Sequence, residues 1–285
     1  MIKKAIISIL KKRGYTITKI PKIDTFIISF PKSGRTWLNL MLGKFFEQHV
    51  GLNNLDTNIL FNLKLFNDFY PEKVPLITFS HDNNVFFYSP PHKIKSNINK
   101  YKNSKVIFLS RNPIDVLVSS YFEKTKRIEL GQRKNSFWKP FKGTISDYIY
   151  EKNGGIDTII AFYNMWEKHK DILKDNIIFI NYESLQINTA DELNKIVKFI
   201  GLKNIEQKHI ETAVNFTKFE NMQKIEKNSD IKTNKLKPVN KNDVDTFKTR
   251  RGKINGYIDY FSEEEINYLI SKINKNLSPF FGYNK

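Results

Sequence analysis

The residues Pro31-Lys32-Ser33-Gly34-Arg35-Thr36 put two cations, two hydroxyls and a glycine into one short turn. The turn separates a β-branched and aromatic run, residues 24–30, from a helical run, residues 37–46, that carries Leu38, Leu40, Met41, Leu42, Phe45 and Phe46. Pro31 cannot continue a central strand, and Gly34 permits backbone angles that other residues resist. Strand, tight turn and helix start together aim free N–H groups and the helix dipole at one point, where an anion is held. Lys32 would add charge there, and Ser33 and Thr36 would add hydroxyl donors. An ordinary capped helix shares this signature, so the turn needs partners elsewhere in the chain. An ATP- or GTP-type loop requires Gly, four residues, Gly-Lys and Ser or Thr. Here the Lys precedes the Gly, which argues against a nucleotide kinase or other P-loop phosphotransferase.

The other candidate residues also follow apolar runs. His81 follows residues 75–80, Arg111 follows 105–110, and Tyr182 follows 176–181. Arg111 offers a planar fork of donors suited to phosphate, and Ser119 lies a little over two helical turns beyond it if a helix starts at Pro113. Helices are expected at 144–152, 156–173 and 189–200, with Gly201 ending the last, and after Ser262, whose Glu263, Glu264 and Glu265 fill a first turn. A polar, helical connector is expected over 93–102, a basic loop over 127–143, and a mobile Lys/Asn-rich loop over 224–248. Strands alternating with helices predict an α/β fold: a single domain over 1–285, with a mainly parallel central sheet flanked by helices. Ligands of such sheets sit beyond the carboxyl ends of the strands, where these residues fall.

The chain has 285 residues, enough for one sizeable core, and carries 47 Lys+Arg against 29 Asp+Glu, a net charge of +18. That balance favours anionic partners, although the lysines are scattered as a Lys-, Asn- and Ile-rich composition would scatter them. A nucleic-acid-binding protein is the other reading of the charge; with no basic stripe or recognition helix, nucleic acid is not an expected partner. There is no Cys, which excludes disulfides, thiolate metal sites and Cys nucleophiles. No apolar run is long enough to span a bilayer. Residues 1–23 read as a basic extension or helix able to touch a membrane surface, and the protein as soluble and cytoplasmic.

Phe30-Pro31-Lys32-Ser33-Gly34-Arg35-Thr36-Trp37-Leu38 resembles the 5′-phosphosulfate loop of sulfotransferases that use 3′-phosphoadenosine-5′-phosphosulfate (PAPS). The stretch from Ser110 to Tyr121 resembles the same family's 3′-phosphate segment, in which an Arg and a Ser at the spacing of Arg111 and Ser119 hold that phosphate. The resemblance implies further roles. Tyr182 and Trp37 would flank adenine, Thr217 and Phe219 would lie in the segment that stacks on it, and Arg250, Arg251 and Gly252 would close over the 3′-phosphate. His81 would be the base for an acceptor hydroxyl or amine, with His92 in reserve, and Lys32 would stabilise charge on the departing phosphate. No metal is implied. The sequence departs from the family at Lys218, where a Ser is usual, at Ile258, where a Trp is usual, and at Phe79, where the family's vertebrate cytosolic members have a Lys; that charge is absent or comes from elsewhere, with Arg35 as the candidate. The acceptor, a small molecule, carbohydrate or lipid, is expected to meet residues 60–70 and 120–141, including Phe122, Phe137 and Trp138. The protein is expected to be a monomer or homodimer.

Overall fold

Four short strands lie side by side, all parallel, in the order β2-β1-β3-β4: β1 Thr25–Ile28, β2 Ile77–Ser80, β3 Lys105–Ser110 and β4 Ile177–Asn181. The computed structural model describes residues 22–82, 87–132, 140–227 and 234–284. Thr25 pairs with Ile77 on one side and Lys105 on the other, and Val106 pairs with Ile177. All of β1 is buried, as its unbroken apolar run predicts for a central parallel strand. Alternation along β1 and β3 sends Phe26, Ile28, Val106 and Phe108 into one apolar cluster and Ile27, Ile107 and Leu109 into another.

The helices used below are α1 Arg35–His49, α2 Pro113–Phe122, α3 Ile156–Lys168, α4 Tyr182–Ile187, α5 Thr189–Phe199, α6 Gln207–Phe216, α7 Phe219–Lys227 and α8 Glu263–Asn276. The first cluster joins α2, α3 and α8 to one face of the sheet around the fully buried Trp166 and Phe108. The second joins α1, α5 and α6 to the other face through Leu38, Phe45, Leu193 and Ile210. Asn112 caps α2 by accepting from the Ile114 N–H, with Pro113 in the first turn, and Ser262 and Glu265 form a capping box on α8.

Several expected elements differ. The run 93–102 forms only single tight turns, Pro91–Lys93 and Ile98–Lys100, because it has no apolar stripe to hold a helix against the core. The helix expected over 144–152 is one turn, Ile145–Tyr148, and that over 156–173 breaks at His169. Beyond α2 the chain does not enter a loop at once but winds on in wide π-type turns over Glu123–Gln132. The Thr125 hydroxyl donates to the Tyr121 carbonyl there, at 2.9 Å. The segment 224–248 is not a free loop in its described parts: it begins as the end of α7, and Glu226, Leu236, Thr246 and Phe247 are buried. Residues 1–21, Phe137 and Trp138 lie outside the described residues. Among the described residues, no helix is long and apolar enough to cross a membrane.

Candidate active site

The turn after β1 is held in an unusual backbone. Lys32 has φ +76° and Gly34 φ +94°. A Cβ on Gly34 would lie 2.6 Å from Tyr182 Cδ2, so both backbone and neighbour demand glycine. The Ser33 hydroxyl points inward and donates to the Phe30 carbonyl at 3.0 Å, fastening the turn rather than facing the cavity. Gly34 then sits at the N-terminal cap of the fifteen-residue α1, with Arg35, Thr36 and Trp37 in its first turn.

A cavity of about 780 Å³ opens where the turn meets the ends of the other strands. Of the residues singled out from the sequence, Lys32, Gly34, Arg35, Thr36, Trp37, His81, Arg111, Ser119, Tyr182, Thr217, Phe219, Arg250, Arg251 and Gly252 all line it. Ser33 does not, and His92 lies exposed on the turn Pro91–Lys93. Among the described residues, eight Lys and Arg line the cavity against Asp115, Glu123 and Glu220, a balance suited to a ligand with several negative charges.

The Arg111 guanidinium lies 4.4 Å over the Tyr182 ring, donates from one terminal nitrogen to the Lys32 carbonyl at 3.3 Å, and stands 4.0 Å from Asp115. Its Nε is buried without a hydrogen-bond partner, a donor that a bound anion would satisfy. Trp37 meets Tyr182 edge-on with ring centroids 5.7 Å apart, and its Nε1 donates to the Thr217 carbonyl at 3.0 Å. The Thr217 hydroxyl turns back to the Ala213 carbonyl at 2.8 Å, so Thr217 reaches the site through its backbone. Arg250 packs 3.8 Å over the Phe122 ring and donates to the Tyr260 hydroxyl. Arg251 pairs with Asp259 at 2.6 Å. Gly252 has φ +60°, and a Cβ there would stand 2.5 Å from Phe219. His81 Nδ1 is 2.8 Å from the Ser29 carbonyl; a carbonyl only accepts, so Nδ1 carries the proton and Nε2 is the basic nitrogen of the neutral ring.

A second cavity of about 510 Å³ shares Arg35, Thr36 and Lys248 with the first and is bordered by Phe79 and Lys235. Arg35 and Phe79 therefore face the same space. Burial, helped by the charge of Arg35, lowers the Lys235 ammonium below its ordinary range.

The family model described as a sulfotransferase domain matches residues 22–280. The chain belongs to that family. It is 27% identical over 209 residues to an amine sulfotransferase of Oryctolagus cuniculus, an alignment covering 70% of this chain and 62% of the relative, less than two thirds of that relative's length. With cytosolic sulfotransferase 14 of Arabidopsis thaliana it shares 24% identity over 280 residues, 90% of this chain and 75% of the relative. A mouse sulfotransferase solved in complex with PAP superposes with a TM-score of 0.60 at 17% identity, over 93% of this chain and 89% of that one. The likeness shows a shared α/β fold, and the four-stranded parallel sheet is its centre.

The cavity also rests on residues that no motif singles out. Asp115, only 3% exposed, accepts from the backbone N–H of Asn255 at 2.9 Å and of Tyr257 at 3.0 Å, tying the C-terminal segment to α2. Burial raises its carboxyl above the usual range, against the pull of Arg111 and those two N–H groups. Gln186 donates to the Gly252 carbonyl at 2.5 Å. Glu123 accepts from Lys32 Nζ at 2.6 Å. The one available sequence signal is spacing: Asp115 lies i+4 from Arg111, and Glu123 lies i+4 from Ser119.

Proposed function

We propose that this sulfotransferase moves the sulfonate group of PAPS to a hydroxyl or amine of an acceptor. The observation that carries the reading is one cavity with two separate sets of anion donors: the turn at Lys32 to Thr36 with the α1 N-terminus, and Arg111 with Ser119, Arg250, Arg251 and Gly252. Adenosine carrying phosphate at both 5′ and 3′ positions needs such a pair, and the unpartnered Arg111 Nε fits the second. Trp37, Tyr182 and Phe219 supply ring faces for adenine.

His81 Nε2 takes the proton as the acceptor oxygen or nitrogen bonds to sulfur. The bond from sulfur to the bridging phosphate oxygen breaks, and adenosine 3′,5′-bisphosphate leaves with its electrons. Lys32 neutralises the charge that grows on that oxygen, and Arg35 takes the place of the cation missing at Phe79. Catalysis of this kind is mainly positioning and charge stabilisation. Among the described residues, no cluster of three or more His, Asp or Glu is placed to hold a metal ion, and the roles assigned here call for none. The acceptor is of small-molecule, carbohydrate or lipid type, reached past His81 and Phe87. The protein is cytoplasmic on this reading.

Calorimetry with adenosine 3′,5′-bisphosphate and with AMP tests the assignment. The ligands differ only in the group assigned to Arg111, Ser119, Arg250, Arg251 and Gly252. Two effective charged hydrogen bonds give roughly 3 kcal/mol, about a hundredfold in affinity. Arg111→Ala is expected to remove that preference and leave AMP binding little changed. Equal affinities in the wild type would sink the reading.

A further inference from the structure

Lys32 is not simply a cation at the rim of a cavity. Its Nζ lies 2.6 Å from the Glu123 carboxylate, and its side chain is 16% exposed. The same Glu123 oxygen stands 3.2 Å from Arg127 Nε. Arg127, itself 5% exposed, donates to the Lys237 carbonyl at 3.0 Å and to the Thr246 carbonyl, and its Nη1 is 3.9 Å from Glu226. Glu226, fully buried, accepts at 2.8 Å from the backbone N–H of both Lys248 and Thr249 and at 2.7 Å from the Thr249 hydroxyl. Alternating charges thus run unbroken from the turn after β1 to the residues just before Arg250. The wide turns after α2 and the end of α7 supply the links.

We propose that Glu123 is a positioning residue for Lys32: its carboxylate holds the Lys32 ammonium at the nucleotide cavity and, through Arg127 and Glu226, fixes that ammonium relative to the segment carrying Arg250, Arg251 and Gly252. The two anion-binding halves of the site are then set by one buried array. This rests on the sulfotransferase reading, which gives Lys32 its task. The groups facing Lys32 act in opposite senses. Burial lowers its pKa most, Glu123 raises it, Arg127 lowers it and Glu226 raises it, with a net lowering. Burial opposes the charge on Glu123 as well, but Lys32, Arg127 and Lys248 outweigh it and hold that carboxyl well below the usual range. Only the ammonium form can neutralise a departing phosphate, so Glu123 keeps Lys32 both placed and charged.

The test reads Lys32 directly and needs no acceptor. Trace acylation by acetic anhydride across a pH series, with the Lys32 peptide quantified by mass spectrometry, gives the midpoint at which the amine becomes reactive. In Glu123→Gln the midpoint is expected to fall by about one pH unit or more, because burial and Arg127 remain while the main counter-charge is gone. In Arg127→Gln it is expected to rise. A carboxylate serving only to pack the helix would move neither. If Glu123→Gln does not fold, Glu123→Asp, which draws the carboxylate back by one methylene, is expected to shift the midpoint the same way by less. A midpoint unmoved in whichever Glu123 variant folds overturns the proposal. Its failure would leave the preference for adenosine 3′,5′-bisphosphate over AMP intact, so the two readings fail separately.

Discussion

At the scale of single residues, the hydrogen bond from His81 to the Ser29 carbonyl decides which nitrogen can act as a base. His81→Ala is expected to lower transfer by about 10²–10⁴ while nucleotide affinity stays nearly constant, since general-base catalysis is typically worth that much. Near-normal rates would remove His81 from the reaction. Lys32→Ala is expected to lower turnover at saturating donor far more than donor binding, because in the role proposed for it the charge matters most as the phosphate departs. Steady-state kinetics with the donor varied separates the two effects. Lys124 offers a test against pH. It is 3% exposed, donates to the Asn153 carbonyl at 2.9 Å, and lies 5.0 Å over the Phe87 and Tyr88 rings. Burial pushes its ammonium down to about 8 from 10.5, with Glu151 opposing. The unfolded chain therefore binds the extra proton between these values, and the Lys124 contribution to stability rises with pH across about 8 to 10.5. The full difference is about 3 kcal/mol. Denaturant unfolding over that range is expected to show a steeper rise in the wild type than in Lys124→Met.

At the scale of elements, the strand ends carry chemistry that is legible because each turn residue answers a local demand. Pro31 stops a strand, Gly34 takes a positive φ, Asn112 and Pro113 open α2, and Ser262 with Glu265 opens α8. Gly34→Ala is expected to cost about 1–2 kcal/mol of stability from the backbone alone. Its Cβ would also displace Tyr182, so nucleotide affinity is expected to drop at least about tenfold, measured by calorimetry beside thermal unfolding. Arg111 and Ser119 also line the cavity; periodicity and a strand end left both open to a surface reading, and the resemblance singled them out. What the sequence hides is pairing between distant segments. Asp115 looks like any acidic residue in a first helical turn, yet it fastens Asn255 and Tyr257. The run 224–248 looks solvated by composition, yet its described parts are tied in by Arg127 and Glu226, which no local pattern connects. The single turns at Pro91–Lys93 and Ile98–Lys100 lack an apolar face, so propensity alone misjudges them.

At the scale of the whole molecule, the charge of +18 and the eight cations of the cavity would act together on the doubly phosphorylated ligand proposed for it. Affinity for adenosine 3′,5′-bisphosphate is expected to fall more steeply with added salt than affinity for AMP, because the exposed part of the extra attraction is screened. Parallel slopes would place the discrimination in buried contacts alone. The sheet order has a further consequence, for the order in which properties appear as the chain is made. Among the described residues, β1 pairs with strands that begin at Ile77 and Lys105, and the cavity takes residues from Pro31 to Tyr260. A growing chain therefore displays its apolar first strand long before either neighbour exists, and such long-range parallel pairing folds slowly and leaves sticky surface uncovered meanwhile. On refolding, burial of the sheet can precede capture of the ligand, since Asp115 and Glu226 must still recruit the last stretch of chain. Nucleotide binding is therefore expected to appear after the sheet has formed, and truncation before Arg250 is expected to abolish it while the sheet persists, as calorimetry beside circular dichroism would check.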